Sequence, residues 1–321
     1  MTNESIWVYI QLNQDKIEPT SLQLLTKAKQ IAEDKPVWAI LLEPTTLTAE
    51  ATIQQYGPDN ILRLRDDRFA AATDEELADA LEQVVTQYNP NSFLFPATTA
   101  GRSLAPRLQA KLQTGLTADC LDLAFDGDTL VQVKPTYGDN IMCDIICPDR
   151  RPQMATVRPN IFKAVRVPNS QTEVVSATFT FHPETTMTIL NTTRLISQTA
   201  SLSDAQTVIA LGRGANQPKT IELARQLAAK MGGVVGVTRP LTDDPQFTHD
   251  QQIGQSGQTV APDLLINLGI SGAVQYTVGI QNANRIVSVN TDATAPIFAD
   301  SDYGYVGDAT EFLEGLLAQV K

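Results

Sequence analysis

The chain has 321 residues, of which 42% are hydrophobic and 19% charged, so it is globular and long enough for two domains. Its net charge of −12 argues against binding to nucleic-acid phosphates, and no apolar run approaches the roughly 20 residues that cross a bilayer. Residues 1–5 lack the basic stretch of a targeting peptide, so we expect a cytoplasmic location and no membrane insertion. The three cysteines form no metal-binding pattern, and no metal site is expected.

The first half of the chain alternates apolar strand patterns with amphipathic helix patterns. Thr20 is expected to cap the first helix, and Thr73 with Glu76 has the spacing of a capping box. Strands separated by helices indicate a mostly parallel sheet. Strands are predicted at 7–12, 36–42, 60–64 and 91–97, and helices at 21–32, after Thr73, and after 91–97 up to about Gly115.

The pattern changes in the segment 121–167, where the strands are short and no helix intervenes. Asp126-Gly127-Asp128 is a tight hairpin turn between the first two of them. We expect an antiparallel extension of an N-terminal domain, 1–190, followed by a linker at 185–206. The strands are predicted at 121–125, 129–134, 141–146 and 153–158.

The second half alternates strands and helices again and forms a second domain, 205–321. A last helix starts at Asp308, with Glu311 completing a second capping-box pattern. The sequence thus predicts an α/β fold with two domains, each with a mostly parallel sheet flanked by helices. Strands are predicted at 207–211, 234–238, 264–268 and 285–289, with a helix at 219–230.

A glycine turn at 212–217 follows a strand and begins like the dinucleotide fingerprint G-x-G-x-x-G. Gln217 stands in place of the third glycine, and Thr238-Arg239 ends the next strand where an acidic residue is expected. These departures disfavour a standard NAD site. Arg213 and Arg239 would suit a pyrophosphate or an electron-rich ring, although a plain tight turn explains the glycines equally well.

The run Gly-Ile-Ser-Gly-Ala-Val-Gln at 269–275 places small residues at an expected helix N-terminus, where an anion is favoured. Close packing of helix on sheet would explain its glycines about as well. The polar glycine loop 253–257 is weak evidence by itself. Asn290 ends a strand and could bind a ligand or form a turn, and Asp308 most simply caps a helix.

These pieces, in this order, resemble the electron-transfer flavoprotein alpha subunit over most of the chain, most specifically from 212 to 308. In the first half, the runs Thr-Thr-Ala-Gly-Arg-Ser-Leu-Ala-Pro-Arg at 98–107 and Thr-Gly-Leu-Thr-Ala-Asp-Cys at 114–120 are similar to that family's signature. The run at 134–140 is a looser counterpart. The resemblance implies a Rossmann-like C-terminal domain that holds FAD.

The resemblance also implies the partners and the site of the protein. An electron-transfer flavoprotein beta subunit would form a heterodimer with it, partly through the N-terminal domain, and an acyl-CoA-type or other dehydrogenase would be a redox partner. The chain would be an electron carrier without catalytic residues of its own, and a place in an electron-bifurcating complex stays open. The implied cofactor contacts are Arg213, Thr238, Arg239 beside the isoalloxazine, Ile253, Gly254, Gln255, Ser256, Ser271, Gly272, Ala273, Val274, Gln275, Tyr276, Asn290, Asp308 and Ala309.

Two positions depart from the family's pattern. Tyr276 stands where the family commonly has a histidine near the N1/C2 carbonyl edge of the flavin. A histidine can be cationic there, whereas a tyrosine donates a hydrogen bond and brings no charge, so we expect a less stabilised anionic semiquinone unless Arg239 compensates. The loop 241–246 keeps an acidic residue, Asp243, but lacks the family's glycine and aromatic residue.

Two other functions are compatible with parts of the sequence. An NADP-type dehydrogenase could use Arg213 or Arg239 on a 2′-phosphate, but the broken fingerprint and the missing catalytic acid or base count against it. A non-redox nucleotide-binding regulatory module would need only the glycine loops. The sequence has no G-x-S-x-G, H-E-x-x-H or P-loop motif, which fits a protein whose cofactor carries the chemistry.

Overall fold

The computed structural model describes residues 3–13, 15–136, 141–168, 171–181, 187, 189–191, 193 and 202–320. The chain divides into two compact units, Met1–Thr193 and Arg194–Lys321. Most of the predicted linker 185–206 lies outside the described residues. No helix in the described parts of the chain is long and apolar enough to cross a membrane.

The N-terminal unit is built on a parallel sheet with helices on both faces. Its elements are β1 (Asn3–Ile10), β2 (Leu12–Asn13), β3 (Lys16–Ile17), α1 (Pro19–Ile31), β4 (Val37–Glu43), α2 (Glu50–Gln54), β5 (Asn60–Arg65), α3 (Asp74–Tyr88), β6 (Pro90–Pro96), α4 (Thr99–Leu112), β7 (Leu116–Cys120), β8 (Asp122–Asp126), β9 (Thr129–Thr136), β10 (Ile141–Ile145), β11 (Gln153–Val157) and β12 (Glu173–Ser176). The seven strands of the main sheet are parallel, in the order β12-β5-β4-β1-β6-β11-β7.

The central strand β1 shows why both faces of this sheet are covered. Ile6 and Val8 belong to one buried cluster together with residues of α1, whereas Trp7 and Tyr9 belong to a second cluster together with residues of α3 and α4. Successive side chains of a strand point to opposite faces, so an uninterrupted apolar strand needs a layer on each side. This arrangement confirms the α/β prediction for the first half.

Two local predictions for this unit are wrong. The segment predicted at 153–158 as part of the antiparallel extension is β11, a parallel strand between β6 and β7, and all five of its residues are buried. Helix α1 starts at Pro19 with Glu18 at its N-cap, not at Ser21 after Thr20. Proline favours the first helical position, because its fixed φ suits the helix and because an N–H at that position would have no partner within the helix.

A three-stranded antiparallel sheet, in the order β10-β9-β8, forms the extension of the N-terminal unit. Gly127, with φ of +58°, lies in the predicted turn between β8 and β9. Strand β10 lies at one edge, and Ile141, Met142 and Ile145 are exposed although neighbouring residues of a strand face opposite ways. Each face of β10 therefore exposes an apolar side chain among the described residues, although the exposed Asp144 shares the face of Met142.

The C-terminal unit is a second parallel α/β sheet. Its elements are β13 (Thr207–Leu211), α5 (Pro218–Lys230), β14 (Val234–Val237), β15 (Leu264–Leu268), α6 (Val274–Thr277), β16 (Ile286–Asn290), β17 (Tyr303–Val306) and α7 (Ala309–Gln319). The five strands are parallel, in the order β14-β13-β15-β16-β17. Helices α5 and α7 cover one face, and loop segments together with α6 cover the other.

Candidate functional site

The carboxyl ends of β13, β14, β15 and β16 surround one cavity of about 520 Å³. Strands β14 and β15 lie on opposite sides of β13, so the chain changes direction across the sheet at this point. Parallel α/β sheets bind ligands in the crevice that such a switch point leaves at the strand carboxyl ends. The cavity therefore lies where the fold itself provides a binding site.

Many of the residues predicted from the sequence line this cavity, although they come from five separate segments of the chain. The turn after β13 contributes one arginine, the end of β14 another, and the loop before β15 closes one side. The cavity-lining residues that the sequence predicted are Arg213, Thr238, Arg239, Ile253, Ser256, Ser271, Ala273, Gln275, Tyr276 and Asn290.

The glycines of the two turns are required first by packing between the turns. A Cβ on Gly212 would collide with the carbonyl oxygen of Gly269, and one on Gly269 would lie 2.5 Å from the backbone nitrogen of Ala215. Gly269 also has a φ of +61°, which L side chains rarely adopt. The turns after β13 and β15 thus interlock, because β13 and β15 are neighbours in the sheet.

Helix α6 differs from the helix expected after 269–275. It has only four residues and begins at Val274, with no side-chain cap on its first turn. A single turn sums few peptide dipoles, so it provides no strong anion site of the kind predicted. Gly272, with φ of +89°, is instead packed against the backbone of Ile297, with which a Cβ would collide.

The positive charge of the site comes from two arginines on neighbouring strand ends. Arg213 is exposed, and its guanidinium has no ion pair or hydrogen bond within the described residues. Arg239 is 53% exposed and its Nη1 lies 2.7 Å from Oδ1 of Asp243 and 3.0 Å from Oγ1 of Thr242. Arg213 is thus free to meet an anion, whereas part of the Arg239 charge is already offset.

Tyr276 forms part of the cavity wall but turns its hydroxyl into the protein. The residue is 5% exposed, and its hydroxyl donates a hydrogen bond of 2.6 Å to Oδ1 of Asn267. Burial raises the pKa of the Tyr276 phenol far above its ordinary value, so the side chain stays neutral.

Asn290 uses its side chain within the loops. Its Nδ2 donates to the carbonyl oxygen of Ile270 at 2.9 Å, and its Oδ1 accepts from the backbone nitrogen of Asp292 at 2.9 Å. The amide therefore ties the end of β16 to the turn after β15. One Nδ2 proton is left over for a ligand.

Other predicted contact residues do not line this cavity. Asp308 caps α7, accepting from the backbone nitrogens of Thr310 and Glu311 at 2.7 and 3.1 Å, and Ala309 belongs to a buried apolar cluster. Gly254, with φ of +129°, packs against the carbonyl of Gln275. Their contact with a cofactor stays a prediction, as it does for the remaining residues outside the lining, Gln255, Gly272 and Val274.

The structure also adds two lining residues that the sequence motifs did not single out, Pro240 and Gln252. Pro240 directly follows Arg239, so the arginine itself was the available signal. Gln252 is buried and its Nε2 donates to Oγ of Ser256 at 2.8 Å, which holds the loop before β15 closed. Nothing in the local sequence separates it from Gln251 or Gln255.

Comparison with known proteins matches both units of the chain. The family profile described as "Electron transfer flavoprotein domain" covers residues 6–181, and that described as "Electron transfer flavoprotein FAD-binding domain" covers residues 201–281. The second profile includes most of the cavity lining, from Gly212 to Tyr276.

Whole-length relatives agree with these profiles. The chain is 34% identical to an electron transfer flavoprotein subunit alpha of Thermoanaerobacterium thermosaccharolyticum, over 99% of this chain and 98% of the relative. It is 36% identical to protein FixB of Azorhizobium caulinodans, over 97% and 87%. It is 37% identical to the lactate dehydrogenase (NAD(+),ferredoxin) subunit LctC of Acetobacterium woodii, over 98% and 77%.

The whole-length matches extend over both sheets, and most of the cavity lining lies in the part of the chain that the FAD-binding profile describes. The chain therefore belongs to the electron transfer flavoprotein family, as an FAD-binding alpha subunit that carries electrons.

Proposed function

We propose that FAD occupies the cavity at the carboxyl ends of β13 to β16, held by the residues that line it. The observation that supports this most directly is the pair of arginines, Arg213 and Arg239, at the ends of neighbouring strands around one cavity. A volume of about 520 Å³ is within the range of small-molecule sites, and an anionic cofactor suits two guanidinium groups.

Different lining residues would contact different parts of the cofactor. FAD, when bound, accepts and donates the electrons. Arg213, which has no ion pair or hydrogen bond to another described residue, would bind the diphosphate, and Arg239 would lie beside the isoalloxazine ring. The hydroxyl of Ser271 and the amide of Gln275 would donate hydrogen bonds to cofactor oxygens, and the buried Ile253 would keep water from the ring. Family membership does not favour an NADP-type dehydrogenase or a non-redox module.

Replacing Arg213 tests the site. We expect Arg213→Ala to weaken FAD binding by about tenfold to a hundredfold, since a charge-assisted hydrogen bond is worth roughly 1.5–3 kcal/mol. Arg285→Ala is the matched control, because Arg285 is also exposed but precedes β16 at the opposite edge of the sheet. Titration of flavin fluorescence gives both dissociation constants. Unchanged affinity in Arg213→Ala would contradict the proposed site.

We further propose that an electron transfer flavoprotein beta subunit binds this chain and that β10 contributes to the contact. The relatives are named as subunits, and β10 exposes 51% of Ile141 and 52% of Met142 on opposite faces. A partner that pairs with the open edge would cover both. An exposed apolar edge strand is otherwise an aggregation hazard.

Substitution of each face tests this contact. Ile141→Lys and Met142→Lys are expected to reduce co-purification of the two subunits at least several-fold, because a buried ammonium lacks a partner. Val167→Lys is the control, since Val167 is 63% exposed outside β10. If all three variants assemble equally well on a sizing column, the partner binds elsewhere.

A dehydrogenase, of acyl-CoA or another type, is the proposed electron donor to the complex, and the cytoplasmic location stays a prediction. The name of the relative LctC pairs a dehydrogenase with NAD(+) and ferredoxin, which favours a second candidate role in an electron-bifurcating complex. The purified complex, mixed with a dehydrogenase, the reduced substrate of that dehydrogenase as electron donor, NAD⁺ and oxidised ferredoxin, separates the two roles. Ferredoxin reduction that requires simultaneous NAD⁺ turnover indicates bifurcation, and independent turnover indicates simple transfer.

A further inference from the structure

A row of buried polar side chains runs from the cavity wall into the C-terminal sheet. Tyr276 donates to Oδ1 of Asn267 at 2.6 Å, and Nδ2 of Asn267 donates to the hydroxyl of Ser288 at 3.1 Å. Asn267 and Ser288 are register partners on β15 and β16, and are 1% and 0% exposed. The surrounding residues form an otherwise apolar cluster.

The row continues to a loop on the far side of β16. The hydroxyl of Ser301 lies 2.7 Å from that of Ser288 and 2.7 Å from the carbonyl oxygen of Ile297. A carbonyl only accepts and a serine carries one proton, so the fully satisfied arrangement has Ser301 donating to Ile297 and Ser288 donating to Ser301. Every hydroxyl then donates once, in one direction, starting from Tyr276.

The row also returns to the cavity. The backbone nitrogen of Ile297 donates to the carbonyl oxygen of Ser271 at 3.1 Å, and Ser271 lines the same cavity as Tyr276. Ser271 and Tyr276, at the two ends of the loop 271–276, are therefore linked to each other by hydrogen bonds that run through the protein interior. Buried polar groups in an apolar strand layer break the usual pattern, and such breaks concentrate at functional sites.

The direction of this row decides what Tyr276 presents to the cavity. A phenol has one proton, and that proton is bound to Asn267. A cofactor beside Tyr276 therefore meets the ring without a hydrogen-bond donor. The expectation that Tyr276 donates to the flavin would require Asn267 to lose its partner inside an apolar cluster.

We propose that Asn267 is a positioning residue for the flavin site: with Ser288 and Ser301 it draws the Tyr276 hydroxyl away from the cavity, so that Tyr276 donates no hydrogen bond to FAD. This inference rests on the proposed occupation of the cavity by FAD. A flavin that lacks a donor at this position is harder to reduce, because charge that develops on its oxygens is less stabilised. The row would thus lower the reduction potential.

Substitutions at Tyr276 in the assembled, FAD-loaded complex test the direction of the hydroxyl. We expect Tyr276→Phe to leave the flavin midpoint potential and visible spectrum unchanged, while the unfolding midpoint of the FAD-free complex falls because Asn267 loses its partner. Tyr276→His is the matched substitution that shows whether the position lies at the flavin at all, since an imidazolium raises the potential. A lower potential in Tyr276→Phe overturns the proposal.

Substitution of Asn267 tests the positioning role. Asn267→Leu removes the inward acceptor, so the tyrosine hydroxyl turns to the cavity and the potential rises. A tenfold change in the two-electron equilibrium corresponds to about 30 mV. The double variant Asn267→Leu with Tyr276→Phe should return to the wild-type potential. A rise that persists in the double variant shows that the hydroxyl is not its cause and overturns the proposal.

The outcomes separate this inference from the proposed site. Wild-type FAD affinity in Arg213→Ala, together with no shift in Tyr276→His, removes the cavity as the flavin site. A shift in Tyr276→His combined with a lower potential in Tyr276→Phe keeps the site and rejects only the role of Asn267. Ser92→Ala, a buried serine on β6 of the other unit, controls for a general loss of stability.

Discussion

At the scale of single residues, Asp308 has two predicted roles, a helix cap and a cofactor contact, which need different tests. Its carboxylate caps α7, and hydrogen bonds from the backbone nitrogens of Glu311 and Thr310 hold the pKa of Asp308 below its ordinary value of 3.8. The cap therefore contributes fully above pH 3.8 and is lost as the pH falls through the lower, folded-state pKa. A contact with the adenosine end of FAD would be a second role of the same carboxylate.

Two substitutions separate these roles. Asp308→Ala is expected to lower the free energy of unfolding by about 1 kcal/mol at pH 7, whereas Asp308→Ser keeps a capping oxygen and costs little. Chemical unfolding at pH 7 and at pH 3 measures this, and the difference between Asp308→Ala and wild type should shrink at the lower pH. Equal loss of FAD affinity in both variants would establish the cofactor contact.

Asp243 allows a prediction about charge at the proposed flavin site. Its carboxylate offsets Arg239 at 2.7 Å, in a loop that lacks the family's glycine and aromatic residue. Asp243→Asn is expected to raise the flavin potential modestly, by an amount that shrinks with added salt, because exposed ion pairs are worth only about 0–1 kcal/mol. Asp244→Asn is the control, since Asp244 accepts from the backbone of Gln246 and has no arginine partner among the described residues. Identical potentials in both variants would remove Asp243 from the site.

At the scale of elements, glycines at turns and glycines in helices should respond oppositely to the same change. Gly272→Ala is expected to destabilise the C-terminal unit by more than about 1 kcal/mol, because its φ is +89° and a Cβ meets the backbone of Ile297. Gly315→Ala, in α7 with open space at the Cβ position, should stabilise by about 0.5–1 kcal/mol. Urea unfolding curves measure both. A neutral Gly272→Ala would show that the turn can relax.

Strands β13 to β16 of the C-terminal sheet could be predicted because each is a short, mostly apolar run between turn residues. The limits of β13 and β15 agree with the predicted ones. Strand β11 could not be assigned to its sheet, since a five-residue run of mixed apolar and polar residues looks alike in an antiparallel hairpin and in a buried parallel strand. Only burial on both faces tells them apart, and that depends on β6 and β7.

The lining of the site was predictable through its turns, whereas the orientation of its side chains was not. Two arginines at strand ends, Arg213 and Arg239, already indicate an anion site. The direction of the Tyr276 hydroxyl depends on Asn267 and Ser288, whose pairing needs the register of two strands. Likewise, position 272 could require glycine because a ligand approaches it or because the backbone of Ile297 does. The sequence alone cannot distinguish these two causes.

At the scale of the whole molecule, the two units have separate buried clusters, so they should unfold in separate steps. Scanning calorimetry of the chain is expected to show two unfolding transitions. The midpoint temperature of only one of them should rise when FAD is added. At a hundredfold excess over the dissociation constant, the shift corresponds to about 2.7 kcal/mol. Leu94→Ala, in the core of the N-terminal unit, should lower the midpoint temperature of the transition that FAD does not shift. A single transition that FAD shifts as a whole would contradict this independence.

The open strand β10 has a consequence for how the protein must be made in a cell. A chain synthesised in excess of the proposed beta subunit would present an edge with exposed apolar residues, unpaired among the described strands, that can recruit the same edge of a second copy. Orphan chains would then be lost to precipitation or degradation. If the proposed beta subunit covers β10, the three exposed apolar side chains on its five residues would favour balanced dosage of the two subunits, as from adjacent genes translated together.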